Sequence, residues 1–208
     1  MKRIAVLVSG GGTNLQALID AQHRGEIIGG EITAVIASKP GVFALERAET
    51  AGIPGYVICR KEYPSNQAMT VALVEQLKSL QIDLVVLAGF MTILTGEMVQ
   101  AYPNAIINIH PALNPSFCGP GADGLHVHEQ ALAYGVKLSG ATVHFVSEEG
   151  DGGPIIIQKA VDVLPDDTPE VLQRRIMEQC EWKIMPQAVS LFCQDKLQVE
   201  GRIVRILP

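Results

Sequence analysis

Short strand-like runs alternate with helical runs through the first half of this 208-residue chain, and this alternation constrains the fold more than any other feature. The strand-like runs are residues 3–8, 31–37, 83–88 and 105–109, with a weaker one at 55–59. The helical runs between them are residues 15–24, 42–51, 66–80 and 96–101. Because strands separated by helices usually pair in parallel, the pattern predicts an α/β fold with a Rossmann-like, mainly parallel sheet and helices on both faces.

The second half of the chain has a different pattern. Residues 138–146 and 154–163 are typical of two strands joined by a short loop, which predicts an antiparallel C-terminal addition to the sheet. A long helix is expected from about Pro169, with a break or kink near Pro186, because proline removes a helical hydrogen bond. No linker, repeat or low-complexity segment interrupts the sequence, so residues 1–208 are predicted to form a single domain.

Composition is that of a soluble globular protein, with 48% hydrophobic and 18% charged residues. A net charge of −6 argues against a general binder of nucleic acid or of membrane surfaces. The apolar run at residues 4–8 ends at Ser9 and is too short for a signal peptide or a membrane span. The four cysteines form no CxxC pair and are typical of reduced thiols. The chain is therefore predicted to be cytoplasmic.

Two short motifs contain the candidate catalytic residues. Asn108 and His110 lie two apart at the end of a predicted strand, before Pro111, so their side chains should point to the same side. Asp151 opens an Asp-Gly-Gly-Pro turn further along. Together they could move an acyl group between nitrogens, because an amide stabilises an oxyanion, an imidazole donates or shuttles a proton, and a carboxylate favours the charged imidazole. The alternative is structural: Asn108 caps a turn, His110 packs beside Pro111 and Asp151 forms a turn.

A glycine run, Ser9-Gly10-Gly11-Gly12-Thr13-Asn14, joins the first strand to the first helix. Glycines let backbone N–H groups approach an anion, and a helix N-terminus adds partial positive charge. The run lacks the Gly-Lys-Ser/Thr of a Walker loop, and Leu15 occupies the third glycine position of a dinucleotide fingerprint. It is therefore either another kind of phosphate-binding loop or simply a tight strand-to-helix turn.

These motifs together resemble the phosphoribosylglycinamide formyltransferase family of the formyltransferase superfamily. The resemblance rests on residues 87–91, 108–113, 143–146 and 151–154, which occur in the family's order and near its spacing. It implies transfer of the formyl group of 10-formyltetrahydrofolate, the co-substrate, to the amine of 5-phosphoribosylglycinamide in purine biosynthesis. The amine would attack directly, with Asn108 and His110 stabilising the oxyanion and Asp151 supporting His110.

The resemblance also implies which residues bind the substrates. Residues 1–100 would form a phosphate-binding half, and residues 101–208 a catalytic and folate-binding half. The residues expected to bind the ribonucleotide are Gly11, Gly12, Thr13, Asn14 and Glu181. The residues expected to bind the folate are Asn66, Met91, Thr92, Ile93, Leu94, Asn108 and Val146.

Three positions depart from the family pattern. Some members have arginine where this chain has Thr92, and arginine near the position of Asn66. Arginine suits a carboxylate, so the partner of the folate's glutamate tail stays open, with Arg60 and Lys61 as candidates. Asn114 stands before a proline where an aliphatic residue is usual.

No metal is expected, because His126 and His128 adjoin a predicted helix, on which residues two apart diverge. Small molecules are the expected partners, and the chain is expected to be a monomer or a homodimer. Methionyl-tRNA formyltransferase, with an additional C-terminal domain, and formyltetrahydrofolate hydrolase, with an additional N-terminal one, are the nearest alternatives. A non-catalytic nucleotide- or folate-binding protein is a third, and would not need Asn108, His110 and Asp151 together.

Overall fold

The computed structural model describes residues 1–149 and 151–208, which form a nine-stranded sheet covered by helices. In chain order the elements are β1 (Lys2–Val8), α1 (Thr13–His23), β2 (Gly30–Ala37), α2 (Phe43–Thr50), β3 (Gly55–Val57), α3 (Asn66–Ser79), β4 (Leu84–Leu87), α4 (Gly96–Ala101), β5 (Ile106–His110), α5 (His126–Tyr134), β6 (Leu138–Phe145), β7 (Ile155–Asp162), α6 (Pro169–Ile176), α7 (Trp182–Cys193), β8 (Leu197–Glu200) and β9 (Ile203–Ile206).

The sheet confirms the predicted fold class. Its strand order is β3-β2-β1-β4-β5-β6-β7-β9-β8. Strands β1 to β5 pair in parallel, and β6 pairs antiparallel with both β5 and β7. Because β1 lies between β2 and β4, the strand order changes direction there. In open α/β sheets a crevice for ligands forms at the carboxyl ends of the strands around such a point.

Alternating side chains of β1 explain why both faces of the sheet are covered. Ile4, Val6 and Val8 contribute to a core shared with α1, α2, α6 and α7. Ala5 and Leu7 face the other side, where α3 and α4 pack. Since all five are fully buried, β1 is the centre of the molecule, and the loops at its carboxyl end are supported from both faces.

The C-terminal region differs from the prediction in one place and adds an unpredicted element. The predicted break at Pro186 was wrong in position, because Pro186 lies inside α7 and the irregularity lies upstream, in a π-helical turn at Met177–Glu181. Proline lacks an N–H and its ring crowds the carbonyl four residues earlier, so the backbone departs from α geometry before that carbonyl. β8 and β9 form a hairpin at the sheet edge that was not predicted.

No helix within residues 1–149 and 151–208 is a candidate for crossing a membrane. None of the helices combines the length and the apolar character that a membrane crossing requires.

Candidate active site

Asn108 and His110 lie at the carboxyl end of β5, between parallel β4 and antiparallel β6. His110 is buried and Asn108 is partly buried, and both side chains line a cavity of ≈ 620 Å³. This cavity reaches the start of α1 and is called the α1 cavity below. A second cavity of ≈ 480 Å³ reaches α4 and is called the α4 cavity. Asn108 and Asp151 line both, together with Phe90 and Ile93, so the two cavities meet at these side chains.

The Asp151 carboxylate lies between two imidazoles. Its Oδ2 is 3.8 Å from Nδ1 of His110, and its Oδ1 is 3.9 Å from Nε2 of His144. The backbone N–H of Gly119 donates to Oδ2 at 3.2 Å. The three residues predicted to act together are therefore brought to one place, although Asp151 and His110 are too far apart for a direct hydrogen bond.

Close packing against β6 explains why a glycine stands two residues after Asp151. A Cβ on Gly153 would lie 1.7 Å from the carbonyl oxygen of Phe145. The backbone N–H of Phe145 donates to the carbonyl of Pro154 at 2.9 Å, which ties this loop to the end of β6. Gly153 is thus needed to bring the Asp151 loop against the strand that neighbours Asn108 and His110.

The His110 ring is oriented by a backbone carbonyl. Its Nε2 lies 2.7 Å from the carbonyl oxygen of Phe117, which can only accept, so Nε2 carries a proton. Nδ1, the other nitrogen, faces Asp151. Phe117 has a φ of 50°, a conformation that non-glycine residues adopt uncommonly. Because Nε2 bonds to Phe117, Nδ1 is the His110 nitrogen that remains available on the side of the carboxylate.

His144 orients the Asn108 amide. Its Nδ1 lies 2.9 Å from the carbonyl oxygen of Phe145 and must donate to it. Burial lowers the pKa of His144, which keeps the ring neutral and leaves Nε2 as an acceptor. Asn108 Nδ2 lies 3.2 Å from this Nε2 and donates one hydrogen to it. The second hydrogen of the amide stays available to a ligand at the junction of the cavities.

The far end of the α1 cavity contains the glycine run and Glu181. Asn14 Nδ2 donates to Oε2 of Glu181 at 2.7 Å. Glu181 is 6% exposed, and burial raises the pKa of its carboxyl, an effect that the hydrogen bond from Asn14 partly opposes. Gly12 is the N-cap of α1 with a φ of 74°, and a Cβ there would lie 2.7 Å from the Cβ of Ala44. The start of α1 thus presents backbone donors close to a buried acceptor.

The predicted site residues divide between the two cavities. Those lining the α1 cavity are Thr13, Asn14, Met91, Ile93, Asn108, His110, Asp151 and Glu181. Those lining the α4 cavity are Thr92, Ile93, Leu94, Asn108, Val146 and Asp151. Gly11 and Gly12 are not in either lining, but they immediately precede Thr13, which lines the α1 cavity. Asn66 lies outside both linings at the start of α3, where its side chain accepts a hydrogen bond from Arg60.

No role in the site was predicted for Phe117, His128 or His144. His144 stands opposite Asn108 in the β5–β6 register, a tertiary pairing that no local pattern in the sequence encodes. His128 is fully buried in the lining of the α1 cavity, and neither ring nitrogen has a hydrogen-bond partner among the described residues. Burial, and then the nearby His110, lower the pKa of His128 to about 4.

His126 and His128 diverge on α5, as predicted. His126 is exposed, with its Nδ1 2.9 Å from Glu129, whereas His128 points into the protein. Across residues 1–149 and 151–208, no three metal-ligating side chains are grouped as they would be around an ion.

Protonation of His128 should destabilise the fold in acid. Its folded pKa of about 4 lies below the ordinary 6.5, so the unfolded chain binds more protons between these values. The free energy of unfolding should therefore fall by about 3 kcal/mol as pH drops from 6.5 to about 4. His128→Gln should lose this component in urea unfolding measured across the range. Glu181, whose pKa is raised, changes stability with pH in the opposite sense, but it does so equally in both proteins. A difference in unfolding free energy between wild type and variant that stays the same from pH 6.5 to about 4 would contradict the prediction.

Comparison with known proteins agrees with this geometry. A family model described as formyl transferase matches residues 2–189. Phosphoribosylglycinamide formyltransferase of Haemophilus influenzae is 42% identical over 203 residues, covering 98% of this chain and 92% of that protein. The trifunctional purine biosynthetic protein adenosine-3 of Drosophila melanogaster is 45% identical over 191 residues, covering 91% of the chain but 14% of that longer protein.

A solved structure extends the similarity to three dimensions. The crystal structure of glycinamide ribonucleotide transformylase 1 from Symbiobacterium toebii has a TM-score of 0.94 and 47% sequence identity. The match covers 100% of this chain and 95% of that one. Because sequence and structure agree over nearly the whole length, the chain belongs to the formyl transferase family, among its phosphoribosylglycinamide formyltransferases.

Proposed function

We propose that this enzyme transfers the formyl group of 10-formyltetrahydrofolate to the amine of 5-phosphoribosylglycinamide, a step of purine biosynthesis. The observation that carries the proposal is the meeting of two cavities at Asn108 and Asp151. With one substrate in each cavity, an amine and a formyl carbon would come together beside an amide, an imidazole and a carboxylate. Such positioning turns a reaction between two molecules into one within a single complex.

The α4 cavity suits the folate. Most of its lining is apolar, which matches the flat ring system of a pterin, and a few polar groups at its edge can orient that ring. The apolar side chains are Leu87, Phe90, Ile93, Leu94, Met98, Val99 and Val146. The polar ones outside the junction are Thr92, Thr95, Ser147 and Glu148.

The α1 cavity suits the ribonucleotide. Among the described residues no lysine or arginine lines it, so a phosphate there would rely on backbone N–H groups and on the N-terminus of α1. Thr13 and Asn14 stand at that N-terminus. Glu181, hydrogen-bonded to Asn14, would bind the glycinamide end of the substrate, which offers N–H donors to a carboxylate.

The reaction needs no protein nucleophile. The amine lone pair forms a bond to the formyl carbon, and the formyl oxygen becomes an oxyanion that Asn108 Nδ2 and His110 stabilise. Collapse of this intermediate breaks the bond to N10 of tetrahydrofolate. One proton must move from the attacking amine to N10, and His110 Nδ1 beside Asp151 is placed to relay it.

Product analysis with purified protein tests this function. Both substrates together should yield formylated ribonucleotide and tetrahydrofolate in equal amounts, with little formate. Formate released without any acceptor would indicate a hydrolase, and formylation of methionyl-tRNA in place of the ribonucleotide would indicate the tRNA enzyme. Tight binding of either ligand without turnover would indicate a binding protein, and any of these three outcomes would replace the proposal.

The role of the glycine run can be tested at Gly11. A Cβ on Gly11 meets nothing within 4 Å, so Gly11→Val should leave the fold intact while blocking backbone approach to a phosphate. We expect KM for the ribonucleotide to rise about tenfold or more, the scale of one lost hydrogen bond to a charged group, with KM for the folate unchanged. Gly12→Val is less informative, because it strains a positive φ and meets Ala44. An unchanged ribonucleotide KM in a folded Gly11→Val variant would place the phosphate elsewhere.

A further inference from the structure

Asn114 connects the loop after β5 to the loop before β7. It is 7% exposed, and its Nδ2 donates to the backbone carbonyl of Asp151 at 2.9 Å. We propose that Asn114 is a positioning residue, which holds Asp151, and through it His110, in the geometry that formyl transfer requires. This inference rests on the proposed function and adds to the site a residue that touches neither substrate cavity.

The backbone of Asn114 is itself fixed from two strands. Its N–H donates to Oγ1 of Thr142 on β6 at 3.0 Å, and its carbonyl accepts from Nε2 of Gln158 on β7 at 3.0 Å. The same Gln158 nitrogen donates to Thr142 at 3.0 Å, and Thr142 donates to the carbonyl of Ala112 at 2.7 Å. The Asn114 side chain therefore reaches Asp151 from a rigid support.

Asp151 needs such an anchor because its carboxylate contacts are long. The distances of 3.8 Å to His110 and 3.9 Å to His144 leave little tolerance for movement of the loop. A misplacement of about 1 Å at a reacting group can cost roughly two orders of magnitude in rate. An aliphatic side chain at position 114 would fill similar space but would leave the Asp151 carbonyl without this donor.

Asn114→Leu removes the anchor, and Ser190→Ala is its matched control. Ser190 is also 7% exposed, and its Oγ also bonds to a backbone group, accepting from Ile28 N–H at 3.0 Å as well as from Gln194 Nε2 at 3.1 Å, but it lines neither cavity. We expect Asn114→Leu to lower kcat about tenfold with KM for both substrates little changed. Ser190→Ala should lower thermal stability about as much as Asn114→Leu does, but it should keep the wild-type kcat.

A double-mutant cycle separates positioning from a general structural role. If Asn114 acts through Asp151, Asn114→Leu should lower kcat no further once Asp151→Asn is present. The inference would be overturned if Asn114→Leu lowered kcat as much in the Asp151→Asn protein as in the wild type. It would also be overturned if Asn114→Leu alone kept the wild-type kcat. If Asn114→Leu does not fold, Asn114→Ala, which has no side-chain hydrogen to donate and adds no charge, is measured against the same criteria.

The wild-type assay keeps the two proposals apart. An active wild type, an impaired Asp151→Asn and an unimpaired Asn114→Leu would overturn the positioning role alone. A wild type that transfers no formyl group would overturn the proposed function, and the positioning role with it.

Discussion

Asp151→Asn is expected to lower kcat for formyl transfer by about two orders of magnitude or more, the usual scale for the loss of a polar catalytic group. Asparagine keeps the size and the turn-forming character of aspartate but removes the charge that faces His110 Nδ1 and His144 Nε2. KM for both substrates should change little, because the phosphate and pterin ends bind elsewhere. Steady-state kinetics of the purified variant measure both quantities.

A neighbouring carboxylate provides the control for this variant. Glu149 lies in the same loop, but its side chain is exposed and pairs with Arg202 at 3.5 Å. Glu149→Gln therefore removes an equal charge from the loop and should leave kcat near the wild-type value. Near-wild-type turnover of Asp151→Asn at every pH tested would leave Asp151 as a turn residue and end its catalytic assignment.

His110→Ala is expected to lower kcat by roughly two to three orders of magnitude, the range seen when one oxyanion donor is removed. The substitution takes away both the donor to the developing oxyanion and the proton relay at Nδ1. Because the ring is 5% exposed and bonded to the Phe117 carbonyl, a loss of stability is also expected, and thermal unfolding must show that the variant is folded at the assay temperature.

An exposed histidine and added imidazole distinguish chemistry from packing. His126→Gln removes an imidazole at the protein surface and should not change kcat. Free imidazole should restore part of the activity of His110→Ala if proton transfer is what was lost. A folded His110→Ala variant with less than a tenfold fall in kcat would show that His110 is a packing residue beside Pro111.

The parts of the fold that follow local patterns could be predicted from the sequence. The alternation of strands and helices indicated the parallel sheet, because buried parallel strands are continuous apolar runs such as residues 4–8. The period of two along β5 placed Asn108 and His110 on one side, and both line the α1 cavity. Their closeness to Asp151 depends on the β5–β6 pairing and on Gly153 against Phe145, which no local pattern encodes.

The features that were missed depend on tertiary contacts or on short elements. The Phe117 carbonyl reaches His110 only because its loop folds back with a positive φ. The β8–β9 hairpin has strands of four residues each, with polar residues between apolar ones, which is too short for periodicity to identify. At Pro186 the local rule was correct that the helix is disturbed but not about the position, since Pro186 lies inside α7 and the π turn lies upstream of it.

Direct attack of the amine on the formyl carbon requires both substrates to be bound at once, in the two cavities that meet at Asn108 and Asp151. The initial rate of formyl transfer, measured while both substrate concentrations are varied, tests this requirement. A complex of enzyme with both substrates predicts double-reciprocal lines that intersect. Parallel lines, the pattern of a formyl group held on the protein between two half-reactions, would contradict it.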